Sequence, residues 1–299
     1  MSVPNFHRKC NIYVSRLIMC TVFCGNLCAL FSNVCGDKNG FVVYNIFAGT
    51  ERKTDLFRLD FYDFKRGGDM RVRGLQKLTL LDFPGKMGCT VFLGGCNFRC
   101  PFCQNSELIL PGGDEYEIPE EDFFAFLKKR QGMLDGVCIT GGEPLVNKNV
   151  DDFARRIKDM GYLVKLDTNG TFPDKLRALI DAGLVDYVAM DIKNSPEKYA
   201  ETVGLEKFDM EPIFESVRLL MGGETDFEFR TTVVRELHSA EDVEKIGEWL
   251  KGDEKYFLQS FTDSDFVLQK GLSAHSRETL RTFADIVRKN VPRVEIRGV

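Results

Sequence analysis

The sequence predicts an α/β fold: a parallel sheet wrapped by helices and curled into a barrel or partial barrel. Two observations carry this. From residue 70 onward, short β-rich runs alternate with helical periods, the pattern of strand–helix–strand units joined by right-handed crossovers. The residues of chemical interest (Cys96 to Cys103, TGGEP at 140–144, DTNG at 167–170, MDIK at 190–193, and Arg230) all follow strands or sit late in them. Barrels and open sheets alike place ligands at the carboxyl ends of their strands, but five successive strand ends serving one site suit a barrel better.

Taken in order, GCTVFL (88–93) reads as a buried strand that leads into the cysteine loop. Residues 118–130 form a helix, with Pro119 in its first turn, acidic residues early and basic residues late. GVCIT (136–140) is a strand, and 150–160 is a helix with Phe153, Ile157 and Met160 on one face. YLVKLD (162–167) is a strand, 173–182 a helix ended by Gly183, and DYVAMDI (186–192) a strand. Ser195 and Pro196 read as the cap and first turn of a further helix. FEFRTTVV (227–234) is a strand, and Ser239 with Asp242 opens a helix that turns Val243, Ile246 and Leu250 inward. KYFLQSF (255–261) is a strand, 276–289 a helix, and RVEIRG (293–298) a last short strand.

The 299 residues suit one large domain or two small ones, and 43% hydrophobic content is enough to bury a core. A net charge of −5 gives no overall field for nucleic acid or for an anionic membrane surface. Ten cysteines in a chain this long point to metal or catalysis rather than to a disulfide scaffold. They fall in two groups: Cys10, Cys20, Cys24, Cys28 and Cys35, then Cys89, Cys96, Cys100, Cys103 and Cys138.

Residues 1–69 read unlike the rest. The apolar run at 17–31, preceded by basic residues, resembles a signal-peptide core or a short membrane span, but Asn26 interrupts it and no cleavage site is clear. Cys20, Cys24 and Cys28 would share one helical face, as a second metal site or, on the favoured reading, as a chance stripe. A third reading explains more. KRGGDM at 65–70 back-translates to purine-rich codons directly before Met70, as an in-frame ribosome-binding site would. The expectation is a native start at Met70, a poorly ordered extension over 1–69 from a misassigned start, and a functional domain over 70–299.

The second cysteine group contains C-x3-C-x2-C, at Cys96, Cys100 and Cys103. Thiolates are soft ligands that select zinc, copper or iron–sulfur clusters. A structural zinc takes four ligands, and the loop offers three. Cys89 and Cys138 lie on predicted strands and read as small buried hydrophobes rather than as a fourth ligand. A [4Fe–4S] cluster on three thiolates leaves one iron open, where a substrate can bind. Gly94 and Gly95 let the chain turn tightly into the loop, and Gly141 and Gly142 remove side chains where a ligand must approach. Glu143 offers an acceptor, and Asp167, Thr168 and Asn169 offer the hydrogen bonds a ribose needs. Read singly, GGEP and DTNG are turns as readily as sites.

The cysteine spacing, with Phe102 before the last cysteine, resembles the radical S-adenosylmethionine (radical SAM) superfamily, and GGEP at 141–144 resembles its methionine-binding motif. The stretch 78–105, with KLDTNG, YVAMDIKNSPEKY, FRTTVV and the terminal VEIRG, looks like the anaerobic ribonucleoside-triphosphate reductase activating proteins, a glycyl-radical enzyme activase subgroup. The resemblance spans about residues 71–299. It implies an α/β fold with a partial (β/α)6 TIM-like barrel and a cytoplasmic radical SAM enzyme. It implies that Cys96, Cys100 and Cys103 hold a [4Fe–4S] cluster whose open iron binds S-adenosylmethionine. It implies further that an electron from a flavodoxin- or ferredoxin-like donor splits that cofactor to methionine and a 5′-deoxyadenosyl radical, which takes hydrogen from a glycine of an anaerobic ribonucleotide reductase. By motif, Gly141, Gly142 and Glu143 meet the methionine end. Phe102 and Gln104 lie near the adenine, and Asp167, Thr168 and Asn169 near the ribose or sulfonium. Asp191, Lys193 and Arg230 line the deeper cavity, though Lys193 and Arg230 read as readily as members of an ordinary strand-end ion pair. No cysteine-rich insert lies between Cys103 and Pro119, in keeping with a single cluster. The alternatives are another glycyl-radical partner, a small-molecule substrate such as a deazapurine, or a metal-binding module without catalysis. Neither nucleic acid nor membrane is implied as a partner.

Overall fold

The computed structural model describes residues 31–37, 40–46, 70–109 and 117–298. The chain divides into two units, Met1–Asp69 and Met70–Val299. In the first, β1 (Phe31–Asp37) pairs antiparallel with β2 (Gly40–Ile46). The stripe of Cys20, Cys24 and Cys28, the apolar run 17–31 up to Leu30, and Cys10 lie outside the described residues.

Among the described residues the second unit holds one sheet of eight strands: β3 (Val72–Thr79), β4 (Gly88–Leu93), β5 (Gly136–Gly141), β6 (Leu163–Thr168), β7 (Tyr187–Asp191), β8 (Asp226–Val233), β9 (Lys255–Ser260) and β10 (Arg293–Arg297). Their spatial order follows the chain from β3 to β10 without reversal. A doubly wound sheet reverses its strand order at a switch point; a barrel wall does not. All neighbours from β4 to β10 are parallel, and β3 adds antiparallel to β4. β3 and β10 are the two ends of the order, so the barrel stays open between them. The expected six β/α units are β4 to β9; β3 and β10 extend this wall on either side.

Among the described residues seven α-helices accompany the sheet: α1 (Glu120–Arg130), α2 (Val150–Asp159), α3 (Pro173–Asp181), α4 (Tyr199–Thr202), α5 (Glu211–Gly222), α6 (Ala240–Trp249) and α7 (Arg277–Val287). The apolar residues of α2 and α7 recur at three and four positions, so Val150, Phe153, Ala154 and Ile157, and likewise Leu280, Phe283, Ala284 and Val287, are buried together. Burying each large aliphatic or aromatic side chain contributes about 1.5–3 kcal/mol. Ser239 and Asp242 form the expected reciprocal cap of α6. Ser195 departs from expectation. It precedes only a 3₁₀ turn and the short α4, caps nothing, and its buried hydroxyl has no partner among the described residues. The sequence reading assigned no element to β3 or α5.

Strand side chains alternate between two environments. Cys89, Val91 and Leu93, Val137 and Ile139, and Val164 and Leu166 face outward and join the apolar core beneath the helices. Their neighbours of opposite parity (Thr90, Thr140, Asp167, Arg230 and Thr232) line the lumen. The hydrophobic core is therefore a shell around a polar interior.

Candidate active site

The turn after β4 begins the site. Gly95 adopts φ +91°, and its N–H donates to Leu108 O at 2.9 Å. The GGEP turn after β5 is fastened to it: Gly142 N–H donates to Leu93 O at 3.0 Å and Glu143 N–H to Gly95 O at 2.8 Å. A Cβ on Gly141, at φ +131°, would lie 2.2 Å from Leu93 O, and one on Gly142 would lie 2.0 Å from Gly95 O. Both glycines touch the cavity, yet the close approach that excludes a side chain is that of the cysteine-loop backbone rather than of a ligand.

A cavity of about 390 Å³ opens here at the carboxyl ends of the strands. It is lined by Cys96, Cys100 and Cys103, by Phe102, Gln104, Gly141 and Gly142, and by Asp167, Thr168, Asn169, Asp191, Lys193 and Arg230. All the expected site residues except Glu143 thus face one space. The three cysteines are free thiols. Burial pushes Cys100 up to about 12 and raises Cys96 as well, so a metal entering this loop must displace protons. Among the described residues no three His, Cys, Asp or Glu side chains gather as a single-ion site. Cys89 and Cys138 are buried in their strands, as expected of small hydrophobes. Three soft donors on one loop, facing one cavity with no fourth protein ligand among the described residues, fit an iron–sulfur cluster with one open iron.

Glu143 differs from expectation. Fully buried, it spends its carboxylate on protein donors: Leu145 N–H at 3.0 Å, Thr168 Oγ1 at 2.9 Å and Asn169 N–H at 2.6 Å. Burial moves it up to about 7, against the opposing pull of those three hydrogen bonds. Asn169 Nδ2 in turn donates to Asn97 Oδ1 at 2.9 Å. Glu143, Thr168 and Asn169 therefore tie the cysteine, GGEP and DTNG loops together.

Across the cavity runs an alternating chain of charges. Lys165 pairs with Asp167; Arg230 donates from Nη2 to Asp167 at 3.1 Å and from Nε to Asp191 at 2.7 Å; Lys193 pairs with Asp191 at 3.0 Å. Burial alone would raise both carboxyls, but Arg230 with its neighbouring lysines outweighs it and holds Asp167 and Asp191 below the usual carboxylate range. Lys165, only 1% exposed, is absent from the sequence reading. Its signal was parity: it shares the strand face of Asp167, opposite Val164 and Leu166. His238 was also missed. Its Nε2 lies 2.8 Å from Lys193 O, and its ring meets Phe102 edge-on at 6.4 Å.

The segment after β9 lies over the cysteine loop. Gln104 Nε2 donates to Thr262 O at 2.7 Å, and Ser106 Oγ donates to Phe266 O at 2.6 Å. Leu268 N–H donates to Cys103 O at 3.1 Å, and Gln269 N–H to Pro101 O at 2.9 Å.

Among the described residues no helix is long and apolar enough to cross a membrane. The family model described as the radical SAM superfamily matches residues 90–250. A Methanocaldococcus jannaschii protein, provisionally named a glycyl-radical enzyme activating enzyme, is 34% identical over 76% of this chain and 96% of its own length. A 7-carboxy-7-deazaguanine synthase of Methanospirillum hungatei is 32% identical over 48% of this chain and 58% of its own. The crystal structure of Streptococcus suis SuiB bound to S-adenosylmethionine has a TM-score of 0.55 and 13% identity, over 68% of this chain and 48% of that one; it bears on the fold alone.

Proposed function

The chain belongs to the radical SAM superfamily, and from that premise we propose an activating enzyme that takes hydrogen from a backbone glycine of a partner, an anaerobic ribonucleotide reductase. The family implies a [4Fe–4S] cluster and S-adenosylmethionine. The observation that carries the reading is the meeting of all three loop cysteines with the strand-end motifs in one cavity. The activating-enzyme relative, matched over 96% of its length, supports the glycine substrate.

In this reading Cys96, Cys100 and Cys103 hold the cluster. The chemistry supplied by such a cluster, once bound, is one-electron cleavage of S-adenosylmethionine to methionine and a 5′-deoxyadenosyl radical. The chain's own residues position and exclude. Gly141 and Gly142 present backbone to the methionine end, and Glu143 acts indirectly by clamping the loops. Lys193 supplies a cation suited to the methionine carboxylate. Phe102 and Gln104 flank the adenine side, and Asp167, Thr168 and Asn169 the ribose side. Asp191 and Arg230 fix Lys193 and the cavity floor. The electron donor is of flavodoxin or ferredoxin type and the setting is cytoplasmic. The functional domain is 70–299.

Anaerobic reconstitution with iron and sulfide tests this. The expected result is about four irons per chain, 5′-deoxyadenosine after dithionite reduction, and a glycyl-radical signal on mixing with the reductase. Stoichiometric zinc without S-adenosylmethionine cleavage overturns the enzyme assignment. Turnover of a deazapurine precursor with no glycyl radical overturns the partner.

A further inference from the structure

Lys193, the cation suited to the methionine carboxylate, stands beyond the sheet's pairing. The ladder between β7 and β8 ends at Asp191 opposite Arg230, and the Ile192 N–H makes the last main-chain bond across it, to Arg230 O at 2.9 Å. Lys193 follows, in the cavity wall. Its carbonyl is met by a side chain from the segment after β8: His238 Nε2, at 2.8 Å. A carbonyl only accepts, so Nε2 carries the proton. Burial disfavours a second proton on the ring, which leaves Nδ1 to accept the Val234 N–H at 3.0 Å. Val234 O, 3.2 Å from Nδ1, is already engaged by the His238 N–H at 2.9 Å. The tautomer is thus fixed from both sides of the ring.

The same ring reaches the other end of the Lys193 side chain. It meets Phe102 edge-on, with centroids 6.4 Å apart, and the Lys193 ammonium stands over that Phe102 ring at 5.9 Å while donating to Asp191 Oδ2 at 3.0 Å. One imidazole therefore touches both the main chain of Lys193 and the ring its ammonium faces. His238 is itself held in place: its carbonyl accepts His275 Nε2 at 3.0 Å, and beside it Asn194 Nδ2 donates to Leu237 O at 3.0 Å. It is 2% exposed and is not part of the cavity wall, so it acts on a bound molecule only through its neighbours. A histidine serving its own turn needs the Val234 bond alone. The bond to Lys193 O leaves that turn for the strand end that bears the site.

We infer that His238 is a positioning residue for S-adenosylmethionine: it fixes the Lys193 main chain and the Phe102 ring relative to each other, and so sets where the Lys193 ammonium stands in the cavity. This rests on the reading that gives Lys193 the methionine carboxylate. A lysine held ready loses little on binding, whereas one released from its carbonyl anchor must be ordered at the expense of affinity.

The test is anaerobic equilibrium dialysis of S-adenosylmethionine against the reconstituted full chain, with two variants that each keep one of the ring's bonds. Gln can place a donor where Nε2 stands, whereas Asn can accept the Val234 N–H in place of Nδ1 but falls short of Lys193 O. His238→Gln is expected to bind within about threefold of the wild type and His238→Asn about tenfold more weakly, each with about four irons per chain. In a Lys193→Met background His238→Asn should bring no further loss, because it acts through that lysine. Wild-type binding by His238→Asn, an equal loss with and without Lys193, or His238→Gln weaker than His238→Asn overturns the role of His238 and leaves the reading of Lys193 standing. Loss of iron in His238→Asn marks a structural histidine and overturns it too. Wild-type binding by Lys193→Met overturns both.

Discussion

Glu143 accepts the backbone N–H of Asn169 at 2.6 Å, joining the turn after β5 to the turn after β6. The joint titrates. Burial raises the Glu143 carboxyl from an ordinary 4.5 to about 7, so the folded protein holds this proton more tightly than the unfolded chain does. The associated stability is full below pH 4.5 and is lost as pH rises to about 7. Urea unfolding of the wild type across that interval should show this decline, and Glu143→Gln should flatten it. An equal slope in both proteins would refute the assignment.

Arg230 lies between Asp167 and Asp191. Replacing it with Met leaves two buried carboxylates short of their shared cation, and is expected to cost about 3–5 kcal/mol in denaturant unfolding. Adding Asp191→Asn to Arg230→Met should recover part of that loss, because it removes one stranded charge.

Cys100→Ser should lower iron in the reconstituted protein from about four per chain to about one or none. Cys138→Ala, in a strand, should keep its iron. Iron and sulfide assays on both variants separate ligand from core cysteine.

Gly142→Ala places a Cβ where Gly95 O stands, 2.0 Å away. The two turns must separate, and S-adenosylmethionine affinity is expected to fall about tenfold or more, as a misplaced site would give. Equilibrium dialysis under anaerobic conditions measures it.

Met70 is buried, and its backbone nitrogen donates to Glu120 Oε2 at 2.9 Å. A chain begun at Met70 would place its α-ammonium against that carboxylate. Its Tm should match the 299-residue chain within about 2 °C.

Strands β4 to β9 were legible because a parallel strand buried on both faces reads as an apolar run such as GCTVFL or YVAMD. β3 was not, because an edge strand with one solvated face mixes its residues, and VRGLQKLT carries three consecutive exposed positions. The cysteines and strand-end motifs were legible because each is local. The role of Glu143 was not: its donors Thr168 and Asn169 lie 25 and 26 residues further on, and only the fold brings them together. Lys165 could have been found by strand parity, whereas the segment around Phe266 carried no motif at all.

The segment that crosses the cysteine loop also sets an order of events. Gln104 and Ser106 find their acceptors 158 and 160 residues later in the chain. A ribosome has made the cysteines long before it makes the residues that fasten them. The turns after β5 and β6 therefore fasten the loop first, and the hydrogen bonds that cross it from the segment after β9 form only when that segment emerges. Metal loading during translation and loading of the finished protein would thus meet two differently accessible forms of the same three thiols.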